Sequence, residues 1–125
     1  MKVIDTTVAV DHLRGLQAAS RLLSELVAGG NDLYASELVR FELLAGVRER
    51  ERPALEGFMS ALVWVPVTEN VARLAGQLAR RFRRSYTGID AADCLIATTT
   101  LLLGADLLTT NVRHFPMLER LRPAY

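Results

Sequence analysis

Val3-Ile4-Asp5-Thr6-Thr7-Val8-Ala9-Val10 decides how the rest of the chain is read. Val3-Ile4-Asp5-Thr6 reads as a short buried strand that ends on an acid. Asp5-Thr6-Thr7 then offers capping oxygens to a short helix through Val8, Ala9, Val10 and Leu13, broken at Gly15. The same alternation recurs outward. A helix from about Leu16 to Ala28 carries Leu22, Leu23, Leu26 and Val27 on one face and stops at Gly29-Gly30, and Asp32-Leu33-Tyr34-Ala35 is the next strand. Ser36 caps a helix in which Leu38, Val39, Phe41, Leu44, Ala45 and Val47 are apolar and Glu42 interrupts the pattern, until Pro53 forces a break. Pro53 to Leu62 forms another helix, and Val63-Trp64-Val65-Pro66-Val67 a third strand.

From Thr68 to about Arg84, Val71, Leu74, Ala75, Leu78 and Phe82 recur at helical spacing, with arginines on the other side. Ser85-Tyr86-Thr87-Gly88 reads as a loop. Asp90 to Leu103 is a nearly all-apolar helix closed by Gly104, and Asp106-Leu107-Leu108-Thr109 is the last strand. Strands alternating with helices imply an α/β domain whose parallel sheet is covered on both faces. With 125 residues and 50% hydrophobic composition, one core and one domain over 1–125 are expected.

Four carboxylates, Asp5, Glu42, Asp90 and Asp93, fall where apolar runs predict packed elements. A buried carboxylate is costly unless neutralised, and a divalent cation shared by several is an efficient way to do it. Open parallel sheets bind ligands beyond the carboxyl ends of their strands, where the topology reverses. Asp5 ends the first strand, Thr109-Thr110-Asn111 end the last, and Asp90 and Asp93 open a helix able to enter the same cleft. Magnesium and manganese prefer hard oxygen ligands and, on a phosphodiester, activate water without any side-chain nucleophile. One cysteine, Cys94, excludes an internal disulfide and a cysteine-rich zinc site. The opening residues lack the apolar core of a signal peptide, and the run around Leu101-Leu102-Leu103 is too short to cross a bilayer, so a cytoplasmic, non-membrane protein is expected. Net charge is +1, but Lys2 is the only lysine, and Arg80, Arg81, Arg83 and Arg84 concentrate cationic charge in one place. Such a run serves equally as an RNA-binding patch or as a solvated helix face.

At these residues the chain resembles the PIN domain family, particularly the VapC-like ribonuclease toxins of bacterial toxin–antitoxin pairs. Val3-Ile4-Asp5-Thr6-Thr7 is similar to the family's opening motif, and Glu37-Leu38-Val39-Arg40-Phe41-Glu42-Leu43-Leu44-Ala45-Gly46 to its second, whose glutamate falls on Glu42. Asp93-Cys94-Leu95-Ile96-Ala97 resembles the Asp-Ala-Leu-Ile-Ala segment, placing the third acid on Asp93 rather than Asp90. Leu107 to Phe115 is similar to the closing motif, with Thr109 as its threonine. The resemblance implies a PIN-like α/β/α domain with a short, mostly parallel sheet. It further implies a Mg²⁺- or Mn²⁺-dependent endoribonuclease, a homodimer, and a small VapB-like antitoxin that blocks the site. Asp5, Glu42 and Asp93 are then the catalytic, metal-holding acids. One departure is Asn111, where many members carry an aspartate; Asp90 is a candidate for supplying the missing charge.

Each assignment has a plainer rival. A lone Asp5 is an ordinary helix cap, and Asp90 after Gly88-Ile89 is read as a cap slightly before a ligand. Thr6 and Thr109 are expected to orient the carboxylates, although threonines are common at strand ends. His12 and His114 show no spacing suggestive of a dyad and are read as surface or loop histidines. A receiver-type phosphoacceptor would need a late lysine that this chain lacks. A catalytically silent RNA- or antitoxin-binding module loses ground because all three core acids are present.

Overall fold

The computed structural model describes residues 1–85 and 87–125, so the Tyr86 position of the expected loop lies outside the described residues. Four strands form one sheet in the order β3-β2-β1-β4: β1 (Lys2–Ile4), β2 (Leu33–Ser36), β3 (Val63–Val65) and β4 (Asp106–Leu108). Every pairing is parallel, with Val3 opposite Tyr34 on one side and Leu107 on the other. β1 is therefore flanked on both sides, and Val3 and Ile4 are fully buried. Among the described residues, six α-helices complete the three-layer α/β/α architecture: α1 (Thr6–Leu13), α2 (Gln17–Ala28), α3 (Glu37–Gly46), α4 (Arg52–Ser60), α5 (Glu69–Phe82) and α6 (Ala91–Leu103). None among the described residues is long and apolar enough to cross a membrane.

Each element has a local cause. Ser36 Oγ accepts from the Leu38 amide and starts α3, and Thr68 Oγ1 does the same for the Val71 amide at the start of α5. α3 ends at Gly46 rather than running on toward Pro53, which lies in the first turn of α4, where its missing N–H costs nothing. β3 stops at Val65, short of Pro66. α6, expected to be nearly all apolar, buries Thr98, Thr99 and Thr100. Their hydroxyls donate to the carbonyls of Cys94, Leu95 and Ile96 one turn back, which is why three polar side chains are tolerated there. Gly104 closes that helix with φ +59°, a left-handed cap that suits glycine.

The chain turns one way out of β1, through α1 and α2 to β2. It later crosses back from β3, through α5 and α6, to β4 on the other side of β1. The carboxyl ends of β1 and β4 thus meet at the switch point, and the Asp5 amide donates to the Leu108 carbonyl across it at 2.9 Å.

Candidate active site

Asp5 is the first residue beyond β1 and only 5% exposed. Its Oδ1 accepts from the Thr6 amide at 2.8 Å, while Oδ2 accepts from the hydroxyls of Thr109 at 2.7 Å and Thr7 at 3.1 Å. The capping oxygen of α1 is therefore the aspartate's own, and the threonine hydroxyls serve carboxylates instead. Thr109, fully buried, also accepts from the Asn111 amide, and Thr7 Oγ1 from the Thr110 amide, so the ends of β1 and β4 are laced together by hydroxyls.

Glu42 sits half-buried on α3, and its Oε1 accepts from Thr6 Oγ1 at 2.7 Å. Thr6 thereby joins two acids, its amide on Asp5 and its hydroxyl on Glu42. The neighbouring surface of α3 is more open than the sequence suggests: Phe41 is 67% exposed and Leu44 40%. Glu42 is held by that threonine rather than by apolar packing.

Asp93 lies in the first turn of α6. It and Asp90 form a reciprocal cap: Asp90 Oδ1 accepts from the Asp93 amide at 3.0 Å, and Asp93 Oδ2 from the Asp90 amide at 3.1 Å. Asp90 itself is exposed and acts as the cap of α6. Burial pushes the Asp93 carboxyl up to about 6. The Asp90 amide opposes that rise, the Asp90 and Asp5 charges add to it, and His114 again opposes it. That Asp5 acts on Asp93 electrostatically puts the β1 and α6 acids in one neighbourhood.

His114, read from sequence as a surface or loop histidine, has Nδ1 3.3 Å from Asp93 Oδ2. Its place is set by Phe115, which is buried and anchors the short 3₁₀ turn Val112–His114 against the core. The contact joins residues far apart in the chain, so no local spacing announces it. His12, by contrast, pairs with Ser20 Oγ and lies against Phe58, away from the acids. The Asn111 side chain is exposed and makes no hydrogen bond among the described residues; its backbone amide donates to Thr109 Oγ1 and its carbonyl accepts from the His114 amide.

Among the described residues, no three carboxylate, imidazole or thiol groups stand close enough to clasp an ion. Asp5 and Glu42 are linked through Thr6, and Asp93 is held separately by Asp90 and His114, rather than all three being gathered on one point. Their chemistry nonetheless suits a hard divalent cation: the donors are carboxylate and hydroxyl oxygens, and the one cysteine, Cys94, is buried with its thiol pushed up by desolvation, the form least suited to binding metal.

The predicted arginine run divides. Arg83 is near enough to α6 for its charge to act on Cys94, whereas Arg80, Arg81 and Arg84 line a cleft of about 310 Å³ together with Gln77. None of the four is among the charges that act on Asp93.

The model of the PIN domain family matches residues 2–120, and the chain belongs to that family. Within it, the chain is similar to "Ribonuclease VapC19" of Mycobacterium tuberculosis, 64% identical over the whole of both chains. It is also 38% identical to "Ribonuclease VapC10" of the same species, covering all of this chain and 93% of that one. Among solved structures, a toxin–antitoxin complex from Klebsiella pneumoniae matches with a TM-score of 0.83 at 17% identity, over 100% of this chain and 98% of that one. VapBC2 from Rickettsia felis, bound to a DNA fragment from its promoter, matches with 0.81 at 22% identity, over 96% and 94%. Those likenesses carry the fold.

Proposed function

We propose that this protein is the ribonuclease toxin of a toxin–antitoxin pair, an endoribonuclease that hydrolyses RNA phosphodiester bonds with the help of a divalent metal. The observation that carries the reading is Asp93: a buried carboxyl near Asp5, raised to about 6, at the switch point of a parallel sheet. The full-length likeness to a ribonuclease at 64% identity agrees with it. Asp5, Glu42 and Asp93 would hold the ion, and hard-oxygen donors favour magnesium, with manganese as the substitute.

When bound, such an ion supplies an activated water and charge stabilisation at phosphorus. The chain's own groups prepare for this. Thr109 and Thr7 fix the rotamer of Asp5, Thr6 fixes Glu42, and the Asp90 amide and His114 fix Asp93, so that little reorganisation remains when substrate arrives. Asp90 and Asn111 stand exposed at the rim, where they could add one carboxylate and one neutral ligand. The exposed apolar residues Phe41 and Leu44 on α3, with Leu16 before α2 and Val27 within it, suit a homodimer and a small antitoxin protein that covers the site, and the protein would work in the cytoplasm.

The test is cleavage of single-stranded RNA with magnesium, with manganese and with a chelator, for the wild type and Asp93→Asn. Metal-dependent cleavage lost in the variant is the expected result; cleavage that survives either chelation or the substitution would sink the reading. A binding-only module draws on one observation, that no three ligating groups stand close together among the described residues. RNA binding without any metal-dependent cleavage would favour it. Light scattering that gives a monomer mass would refute the dimer.

A further inference from the structure

Some arginines of this protein are neutralised locally, and one dense run is not. Arg40, Arg52 and Arg73 each pair with a glutamate three or four positions earlier, Glu37, Glu49 and Glu69. Their charge is spent within their own helix turns. The end of α5 is different: Arg80, Arg81, Arg83 and Arg84 fall within five positions, all are exposed, and among the described residues none pairs with a carboxylate. Like charges three and four apart on a helix repel. The same helix is therefore neutralised where it begins, at Glu69 and Arg73, and left strongly cationic where it ends.

Geometry makes part of this charge a site. Gln77, Arg80, Arg81 and Arg84 follow helical spacing along one face, the turn at Ser85, whose amide bonds to the Phe82 carbonyl, keeps Arg84 beside them, and the four line one cleft. Arg81 lies over the Phe82 ring, 5.2 Å from its centre, which limits where its guanidinium can go. α5 and α6 pack extensively, so the cleft stands on the shoulder beside the helix that carries Asp90 and Asp93.

We propose that Gln77, Arg80, Arg81 and Arg84 form a phosphate-binding cleft that grips the RNA backbone to one side of the scissile bond, with Arg83 not a member. This rests on the ribonuclease reading and deepens it. A site built from carboxylates repels a polyanion, and guanidinium forks outside that site offset the repulsion without touching the reacting phosphate.

The test is fluorescence anisotropy with a labelled oligouridylate in chelator, so that binding is read without cleavage, over salt from about 50 to about 200 mM. In the triple variant Arg80→Gln, Arg81→Gln, Arg84→Gln the dissociation constant should rise at least about tenfold, and the slope of log K against log salt should flatten by about two, the loss for three contacts to a single strand. Gln77→Glu places a carboxylate three and four residues before Arg80 and Arg81. It should weaken RNA binding while leaving the melting temperature at or above wild type, which separates a filled cleft from a damaged fold. Arg73→Gln, which removes an arginine already neutralised, should change neither quantity.

A triple variant with wild-type affinity and slope overturns the proposal. So does an Arg73→Gln loss equal to one third of the triple's, which would mean diffuse net charge. So does tighter binding of polyglutamate than of RNA of equal charge, which would make the cleft an acidic-protein site. Metal-dependent cleavage with RNA binding unmoved in the triple variant overturns the cleft alone. Arginine-dependent RNA binding in a protein that cleaves nothing overturns the ribonuclease reading alone.

Discussion

Asp5 and Asp93 are the same residue type at nearly the same burial, 5% and 8% exposed, and the fold treats them in opposite ways. Asp5 receives a backbone amide and two hydroxyls, one of them from Thr109 on the far side of the switch point. Asp93 receives one backbone amide and an imidazole at 3.3 Å, beside the charges of Asp90 and Asp5, and its carboxyl is pushed up to about 6. At nearly equal burial, the two carboxylates differ in the number of donors that reach them. Asp5 is a fixed post. Asp93 has only the His114 imidazole to set against its burial and the charges of Asp90 and Asp5, and is the acid whose charge a cation would most relieve.

The largest effect expected from that contrast is on Asp93. Asp93→Asn keeps volume and the cap to the Asp90 amide but removes the charge, so RNA cleavage should fall below detection while the circular dichroism spectrum is unchanged. Wild-type turnover in this variant would mean that the weakly supported carboxylate is not the one that matters.

Next is the support of Asp5. Thr109→Val is nearly isosteric and withdraws the hydroxyl that donates to Asp5 Oδ2 and accepts from the Asn111 amide. It should cost about 1–3 kcal/mol in urea unfolding, the range for stranding buried polar groups. It should also weaken magnesium binding by roughly 10–100-fold, the usual penalty for losing a group that orients a ligand. Unchanged stability would show that Thr7 and the Thr6 amide suffice and would erase the asymmetry between the two acids.

The pH dependence of stability sharpens the comparison further. A carboxyl whose folded value is raised to about 6 from the ordinary 3.8 binds its proton more tightly in the folded state. Its favourable contribution is therefore full below about pH 4 and is lost as pH rises through about 6. In chelator, Asp93→Asn should consequently be more stable than wild type above pH 6, by about 1–2 kcal/mol after discounting for solvent screening, and equal to it below pH 4. Added magnesium should stabilise the wild type, leave the variant unmoved, and so shrink or reverse the difference. A constant difference across pH would remove the asymmetry.

The smallest effect belongs to His114. His114→Gln takes away a partner that favours the charged form of Asp93, so the pH at which magnesium begins to stabilise the protein should move upward by less than about one unit. A downward shift would place His114 outside the control of Asp93.

Much of this fold was legible along the chain because its causes are local. Asp90 and Gly104 bracket α6, Gly29-Gly30 stop α2, and four short apolar runs separated by amphipathic helices become the four parallel strands. Pro53 opens a helix, as its sequence predicts, since a missing N–H disrupts a helix interior but not a first turn; the helix before it ends earlier than the proline requires, at Gly46. Phe41 and Leu44 belong to the apolar pattern of α3 and lie exposed, because a helix face cannot announce whether its partner is the same chain. The threonines of α6 were passed over within an apolar run because the carbonyls that satisfy them are their own helix's.

By itself the sequence determined which acids the protein has, the order of its strands and helices, and that the first and last strands each end in oxygen-bearing side chains, since all of these follow from residue type and short-range pattern. Only the tertiary structure decided which oxygen is matched to which donor. That Thr109 supports Asp5, that Thr6 joins Asp5 to Glu42, that His114 reaches Asp93, and that Arg83 parts company with Arg80, Arg81 and Arg84 depend on β4 lying beside β1, α1 against α3 and α5 against α6. Hydrogen bonds and desolvation act over a few ångströms in space. Partners that lie on different elements carry no fixed spacing from which those distances can be read.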